Sequence, residues 1–416
     1  MTALKVGLLL ALVAVFIGCN HKKFPTAPER FSSENGNVNH LVNIQFNDHG
    51  DLWDEGSYKG AMNLIQETRA QSPTGRVVVV TYVHGWRHNA AEDDTDYGHF
   101  RNLIHHTAQA ADRKSPVIGI YIGWRGSSFQ VPVLEYLTFW SRHGAAKRVA
   151  GTRMSEVISQ LMHATKGGSG TSRFIIIGHS FGGRVVETVL AQSMVSVLVD
   201  NGTGPGLDPK APFDLAILLN TASEARQTFQ FIEALNSIGF VGAAGDDPLV
   251  LGITSRRDWA TSAAFPAGRF APVFLSALFG GMRSDRDAQE PGSILAARSN
   301  GESYPGQIHQ SMWTAGHMWF MRSHELVEDE RDRNRVLIRP LRLGSDGKPA
   351  QSWNDTPYWV VHEPTGNIIQ GHNDIWRDPR LVTCLQGYIA GALKARETPR
   401  KLILRASPKR WQHLQR

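Results

Sequence analysis

Residues 174–190 read FIIIGHSFGGRVVETVL. Four apolar residues, Phe174 to Ile177, run straight into Gly178-His179-Ser180-Phe181-Gly182, and a helical pattern begins at once. A strand that becomes a helix within so few residues sets Ser180 on a tight corner. Glycines two positions to either side remove side chains that would collide there, and Gly183 extends the small-residue run. The helix that follows points its N-terminal N–H groups at the same spot and favours negative charge. The corner therefore exposes a nucleophile and sets an anion-stabilising donor next to it. A bare GxSxG is weak evidence in a chain with 40 glycines among 416 residues, so its surroundings must support it.

Working outward, short apolar runs alternate with helical patterns. Strands are expected at 41–46, 76–83, 117–122, 173–177, 214–219 and 249–254, and helices at 58–70, 97–111, 146–165, 182–198 and 223–234. The run RVVVVTYV at 76–83 is too apolar to have a wet face. Such alternation implies right-handed crossovers and an α/β fold, a mostly parallel central sheet flanked by helices. The pattern lapses over 262–355, where only RVLIRPL at 335–341 reads as a strand, and it resumes with a last strand at 358–361 and a last helix at 375–392. An insertion before the final strand has the shape expected of a cap over the C-terminal edge of the sheet.

The ends of the chain carry a different message. Lys5 precedes the apolar run from Val6 to Ile17, which suits a signal-peptide core and is short for a membrane span of about 20 residues. The run closes on Phe16-Ile17-Gly18-Cys19, which resembles the bacterial lipoprotein signal. That resemblance implies that 1–19 is a signal segment and that Cys19 is lipidated. The membrane is then a partner and the protein sits in the cell envelope, at the outer membrane or periplasmic face rather than the inner membrane. Residues 20–38 are polar and read as a tether, 39–393 as the folded domain. Cys384 is the only other cysteine, so stability is expected from a core, for which 41% apolar residues in this length are ample. Of the net charge of +6, the tail 394–416 carries +7 and leaves −1 for the rest. The basic character is local, suited to anionic headgroups or to a solvated extension, and no nucleic-acid partner is expected. There is no phosphate-cradling GxxxxGK loop and no internal repeat.

Five motifs, YVHGWRHNA (82–90), IGWRG (122–126), GHSFGG (178–183), TSRRDWAT (254–261) and GHNDIW (371–376), together resemble the α/β-hydrolase superfamily, and within it a group of bacterial esterase- or lipase-like lipoproteins. The resemblance runs from about residue 41 to 393 and implies an α/β-hydrolase fold with a catalytic triad in the order Ser, acid, His. Ser180 is then the nucleophile, Asp258 the acid and His372 the base. Glu224 is the rival acid, and His84, His317 and His362 are weaker candidates for the base. Asp214 falls at the wrong end of its strand. The backbone N–H groups of Phe181 and of Trp86, or of Arg87 in its place, would form the oxyanion hole; His84 would pin the loop that carries the latter.

The implied reaction is hydrolysis of a carboxylic ester, small or lipidic, through an acyl-enzyme, with no metal and no organic cofactor. Histidines 84, 88, 105 and 106 lack the HExxH or comparable ligand spacing and are read as helix-surface residues. Apolar stretches at 240–244 and 265–282 suit an acyl pocket or ordinary core. An acyltransferase or thioesterase would use the same three residues. A non-catalytic envelope lipoprotein would have no need of the whole set.

Overall fold

The computed structural model describes residues 28–47, 49–85, 88–124, 152–167, 171–201, 212–237, 247–264, 313–318, 321–341 and 357–394. Outside these lie Cys19 and the signal segment, Trp86, Arg87, both apolar stretches at 240–244 and 265–282, most of the proposed cap, and the tail beyond Lys394.

The strands are β1 (Glu29–Ser32), β2 (Val38–Gln45), β3 (Val78–Val83), β4 (Val117–Gly123), β5 (Arg173–His179), β6 (Leu215–Leu219), β7 (Val250–Ser255), β8 (His324–Asp329), β9 (Asp332–Pro340) and β10 (Tyr358–Glu363). They form one sheet in the order β1-β2-β4-β3-β5-β6-β7-β10-β8-β9. From β2 to β8 in that order every pairing is parallel, and β1 and β9 are antiparallel edges. The expected fold class, an α/β fold with a mostly parallel sheet flanked by helices, is the one observed. The helices are α1 (Glu55–Gln71), α2 (Thr95–Ala110), α3 (Thr152–Lys166), α4 (Phe181–Asn201), α5 (Ala225–Ser237) and α6 (Pro379–Leu393).

Strand side chains alternate between two cores, because successive Cβ atoms point to opposite faces. Val79, Val83, Ile120 and Ile176 pack with α1, α3, α4 and α5 through Ile65, Leu161, Val186 and Phe231. Val80, Tyr82, Tyr121 and Ile177 pack on the other face with α2 and α6 through Phe100, Ile104, Leu385 and Ile389. With both faces covered, the central strands have no wet side, which is why RVVVVTYV carries no alternation. After β3 the chain crosses to β4 on one side, whereas β5 lies on the other. The C-terminal ends of β3 and β5 therefore flank a topological switch point, where open α/β sheets form their crevice.

Three elements differ from the sequence expectations. The stretch 20–38 is expected as a tether, but from residue 29 it forms the edge hairpin β1–β2. Its polar residues have structural partners: the Asn35 amide donates to the carbonyls of Ala108 (2.8 Å) and Ala111 (2.9 Å) at the end of α2, and the Asn37 amide donates to Asp112 (2.8 Å). These carbonyls have no intrahelical donor, so side-chain amides are apt partners. Within 262–355, residues 324–340 supply β8 and β9 and extend the sheet past β10. The last helix begins at Pro379, not 375. Proline fits the first helical position, Asp378 caps it by accepting from the Arg380 N–H at 2.8 Å, and 374–376 form a short 3₁₀ turn instead.

Candidate active site

Ser180 sits between the last residue of β5 and the first of α4 with φ +55°, the left-handed region that costs an L-residue about 1–2 kcal/mol. Neighbouring strands hold it there: its N–H donates to Leu219 at 2.9 Å and its carbonyl accepts from Ala222 at 3.0 Å. The flanking glycines are steric requirements. A Cβ on Gly182 would lie 2.1 Å from the Val83 carbonyl oxygen, and one on Gly178 would lie 2.6 Å from the Gly183 Cα. The loop after β3 comes equally close, for a Cβ on Gly85 would meet the Ser180 Cβ at 2.5 Å. The serine is buried between these segments.

Three side chains distant in sequence meet at this corner. His372 Nε2 lies 2.6 Å from Ser180 Oγ, and His372 Nδ1 lies 2.7 Å from Asp258 Oδ1. An ionised carboxylate only accepts, so Nδ1 carries the ring proton and Nε2 faces the serine as an acceptor. Asp258 lies just past β7 and is fully buried. Burial alone would raise its pKa, but the charge and hydrogen bond of His372, with the bond from Thr261, outweigh it and hold the carboxyl below its ordinary value. The Asp258 oxygens also accept from the Ala260 N–H (3.1 Å), the Thr261 N–H (3.2 Å) and the Thr261 hydroxyl (2.5 Å). The start of the turn 260–264 thus caps the acid. Thr261 Oγ1 is in turn 2.9 Å from His317 Nε2.

His372 is delivered by the loop between β10 and α6, and sequence reasoning missed what fixes that loop. Asn220, in the left-handed region at φ +43°, donates from its amide to the His372 carbonyl at 3.0 Å, and its Oδ1 accepts from the Ser255 N–H at 3.0 Å. Ser255 Oγ lies 2.6 Å from the Ile369 carbonyl oxygen, and Glu363 receives the N–H groups of Thr365 (3.0 Å) and Gly366 (2.8 Å). An Asn ending an apolar strand was the available signal, since Asn tolerates this backbone region best after Gly. His179, adjacent to Ser180, donates from Nε2 to the same His372 carbonyl at 3.0 Å.

The other candidates lie elsewhere. His84 is held between the Trp124 N–H, which donates to its Nε2 at 2.9 Å, and the Gly85 carbonyl, which accepts from its Nδ1 at 2.9 Å. Burial pushes its imidazole down to about 4, so it is a neutral strut for the loop. Glu224 faces Arg184 at 3.6 Å, and Asp214 pairs with Lys166 at 2.8 Å at the opposite end of the strands. His362 is pushed down to about 3 by burial and by Arg322 beside it. The helix-surface reading of the histidines holds for His105 and His106 on α2, but His84 and His88 are buried on the loop that follows β3. Of the two oxyanion candidates, Phe181 occupies the first position of α4 against the serine, and Trp86 lies outside the described residues.

No protein-family model and no curated protein matches the chain. A solved structure described as "Novel epoxide hydrolases belonging to the alpha/beta hydrolases superfamily in metagenomes from hot environments" aligns over 90% of this chain and 100% of its own, at 15% identity and a TM-score of 0.25. A likeness at that score carries no argument about chemistry, which rests on the geometry of the corner.

Proposed function

We propose that the protein is a serine hydrolase of carboxylic esters with an α/β-hydrolase fold. The observation that carries this reading is the unbroken hydrogen-bonded chain from Ser180 Oγ through the His372 ring to Asp258, at 2.6 and 2.7 Å, on a left-handed strand-to-helix corner. In the reaction His372 Nε2 takes the Ser180 proton as Oγ attacks the acyl carbon, and Asp258 holds the tautomer and offsets the charge of the imidazolium. The tetrahedral oxyanion is received by the Phe181 N–H and by the backbone N–H of Trp86 or of Arg87, each donor contributing about 3 kcal/mol. Collapse expels the alcohol with the proton from His372. Water, deprotonated by the same nitrogen, then attacks the acyl-enzyme and releases the acid.

The apolar N-terminal run and Cys19 support an anchor in the cell envelope, with the catalytic domain outside the cytoplasm. Among the described residues no helix is long and apolar enough to cross a membrane. The test is direct. Protein lacking residues 1–19 is expected to hydrolyse p-nitrophenyl esters, and Ser180→Ala to lower turnover about 10⁶-fold, the size found for a triad serine in subtilisin. Ester hydrolysis that survives in Ser180→Ala would refute the assignment.

A further inference from the structure

Behind the nucleophile lies a second group of side chains that the hydrolytic mechanism does not use. His88, on the loop after β3, Asp96, in the first turn of α2, and His179, at the end of β5, are all buried. One ligand atom from each lies within 4.8 Å of the other two. His88 Nε2 lies 3.6 Å from Asp96 Oδ1, and His179 Nδ1 lies 3.6 Å from Asp96 Oδ2. Zinc bonds of about 2.0–2.1 Å set tetrahedral neighbours about 3.4 Å apart, so each histidine–carboxylate separation is close to that of two ligands on one ion, and the three atoms, within 4.8 Å of one another, close on the ion by small side-chain shifts.

The outer bonds of the two rings fix which nitrogens face inward. His88 Nδ1 is 3.1 Å from an Asp94 carboxylate oxygen, and His179 Nε2 is 3.0 Å from the His372 carbonyl. Both oxygens are acceptors, so these nitrogens carry the protons. With the outer nitrogens donating, His88 Nε2 and His179 Nδ1 face the Asp96 carboxylate from two sides, which is where an ion would meet all three ligand atoms. Metal-ligating histidines donate their other N–H to a carboxylate or a backbone carbonyl in this way. Asp96 is itself oriented by the Tyr82 hydroxyl, which donates to Oδ2 at 2.6 Å. The carboxylates of Asp94 and Asp96 together balance a charge of +2.

We propose that His88 Nε2, His179 Nδ1 and the Asp96 carboxylate bind one divalent transition-metal ion, zinc by preference. Two imidazoles and a carboxylate suit zinc over calcium or magnesium, which take oxygen ligands. With a water in the fourth position, the ion ties the loop after β3 and the first turn of α2 to the residue before Ser180, whose ring also holds the His372 carbonyl. No bond of the hydrolytic reaction passes through it. The inference stands apart from the ester-hydrolase reading, because its readout is metal content.

The test uses the full-length chain in detergent, stripped with EDTA and reloaded with Zn²⁺. Elemental analysis is expected to find about one zinc per chain, with a melting temperature lowered by stripping and restored by zinc. His88→Gln and Asp96→Asn are each expected to lose that zinc, whereas the α2 surface variant His106→Gln retains it. Should the site variants fail to fold, Co²⁺ added to the stripped wild-type protein decides, and intense visible bands of a four-coordinate ion are expected. Absence of stoichiometric zinc in the wild type, zinc undiminished in both site variants, or a weak six-coordinate cobalt spectrum would overturn the proposal and assign the cluster to a protonated imidazole.

Discussion

At Ser180 the backbone does as much as the side chain. The left-handed φ of +55° turns Oγ toward His372, and the bonds to Leu219 and Ala222 keep it there. The partners set the proton positions: Asp258→Asn would present an amide donor to His372 Nδ1 and favour the wrong tautomer. Turnover is expected to fall about 10⁴-fold with little change in KM, measured on the same esters; an effect below tenfold would remove Asp258 from the mechanism. Asn220 acts through His372, whose carbonyl it holds. Asn220→Ala is expected to lower kcat up to about 100-fold by misplacing the ring while KM stays near the wild-type value, and an unchanged kcat would show that the loop needs no such tie. Ser180, Asp258 and His372 were legible from motifs and chain order. The partners of Asn220, Thr261 and Glu363 were not: Asn220 at a strand end signalled only its backbone region, its bond to His372 spans 152 residues, and the short-range bonds of Thr261 and Glu363 look like ordinary turn chemistry.

At the scale of elements, the strand-to-helix corner was the most legible part, since its glycines are demanded by backbone contacts. Gly182→Ala tests this: the new Cβ would lie 2.1 Å from the Val83 carbonyl oxygen, which belongs to a central strand and cannot move aside. Loss of at least the about 1–3 kcal/mol of an overpacked core is expected in urea unfolding, and wild-type stability would contradict the packing described here. The central strands β3, β4, β5 and β6 were legible because they are buried on both faces and read as apolar runs. The edge elements were harder. The polar residues at 29–38 resemble a tether because their partners are the carbonyls that end α2, and β8 was hidden because HELVED carries three acids on a strand whose second half is only partly buried, next to the edge strand β9. The start of α6 was written in Asp378-Pro379, a stronger signal than the apolar Ile375 and Trp376 before it.

For the whole molecule, the buried histidines set the response to acid. His324, stacked 4.0 Å from Trp359, is pushed by burial down to about 4, and His84 and His317 are pushed equally far. The unfolded chain binds these protons below about 6.5 and the folded chain does not, so stability is full above that pH. It is lost progressively as pH falls from about 6.5 to 4. His324→Gln is expected to make the decline in melting temperature over that window shallower; an identical slope would show that His324 takes up its proton without unfolding. Neither the metal cluster nor this acid response was legible in the sequence, because both depend on which polar groups the two cores enclose. The proposed envelope anchor belongs to this scale as well: Cys19→Ala is expected to move the protein from the membrane to the soluble fraction, and retention in the membrane would refute lipidation at that residue.

The central claim is that one serine, activated by one histidine, attacks an acyl carbon. Reaction of the purified protein with a fluorophosphonate, followed by peptide mass mapping, tests it most directly. A single adduct is expected on the peptide carrying Ser180, formed far more slowly in His372→Ala. An adduct on any other residue, or labelling of Ser180 at the same rate without His372, would contradict it.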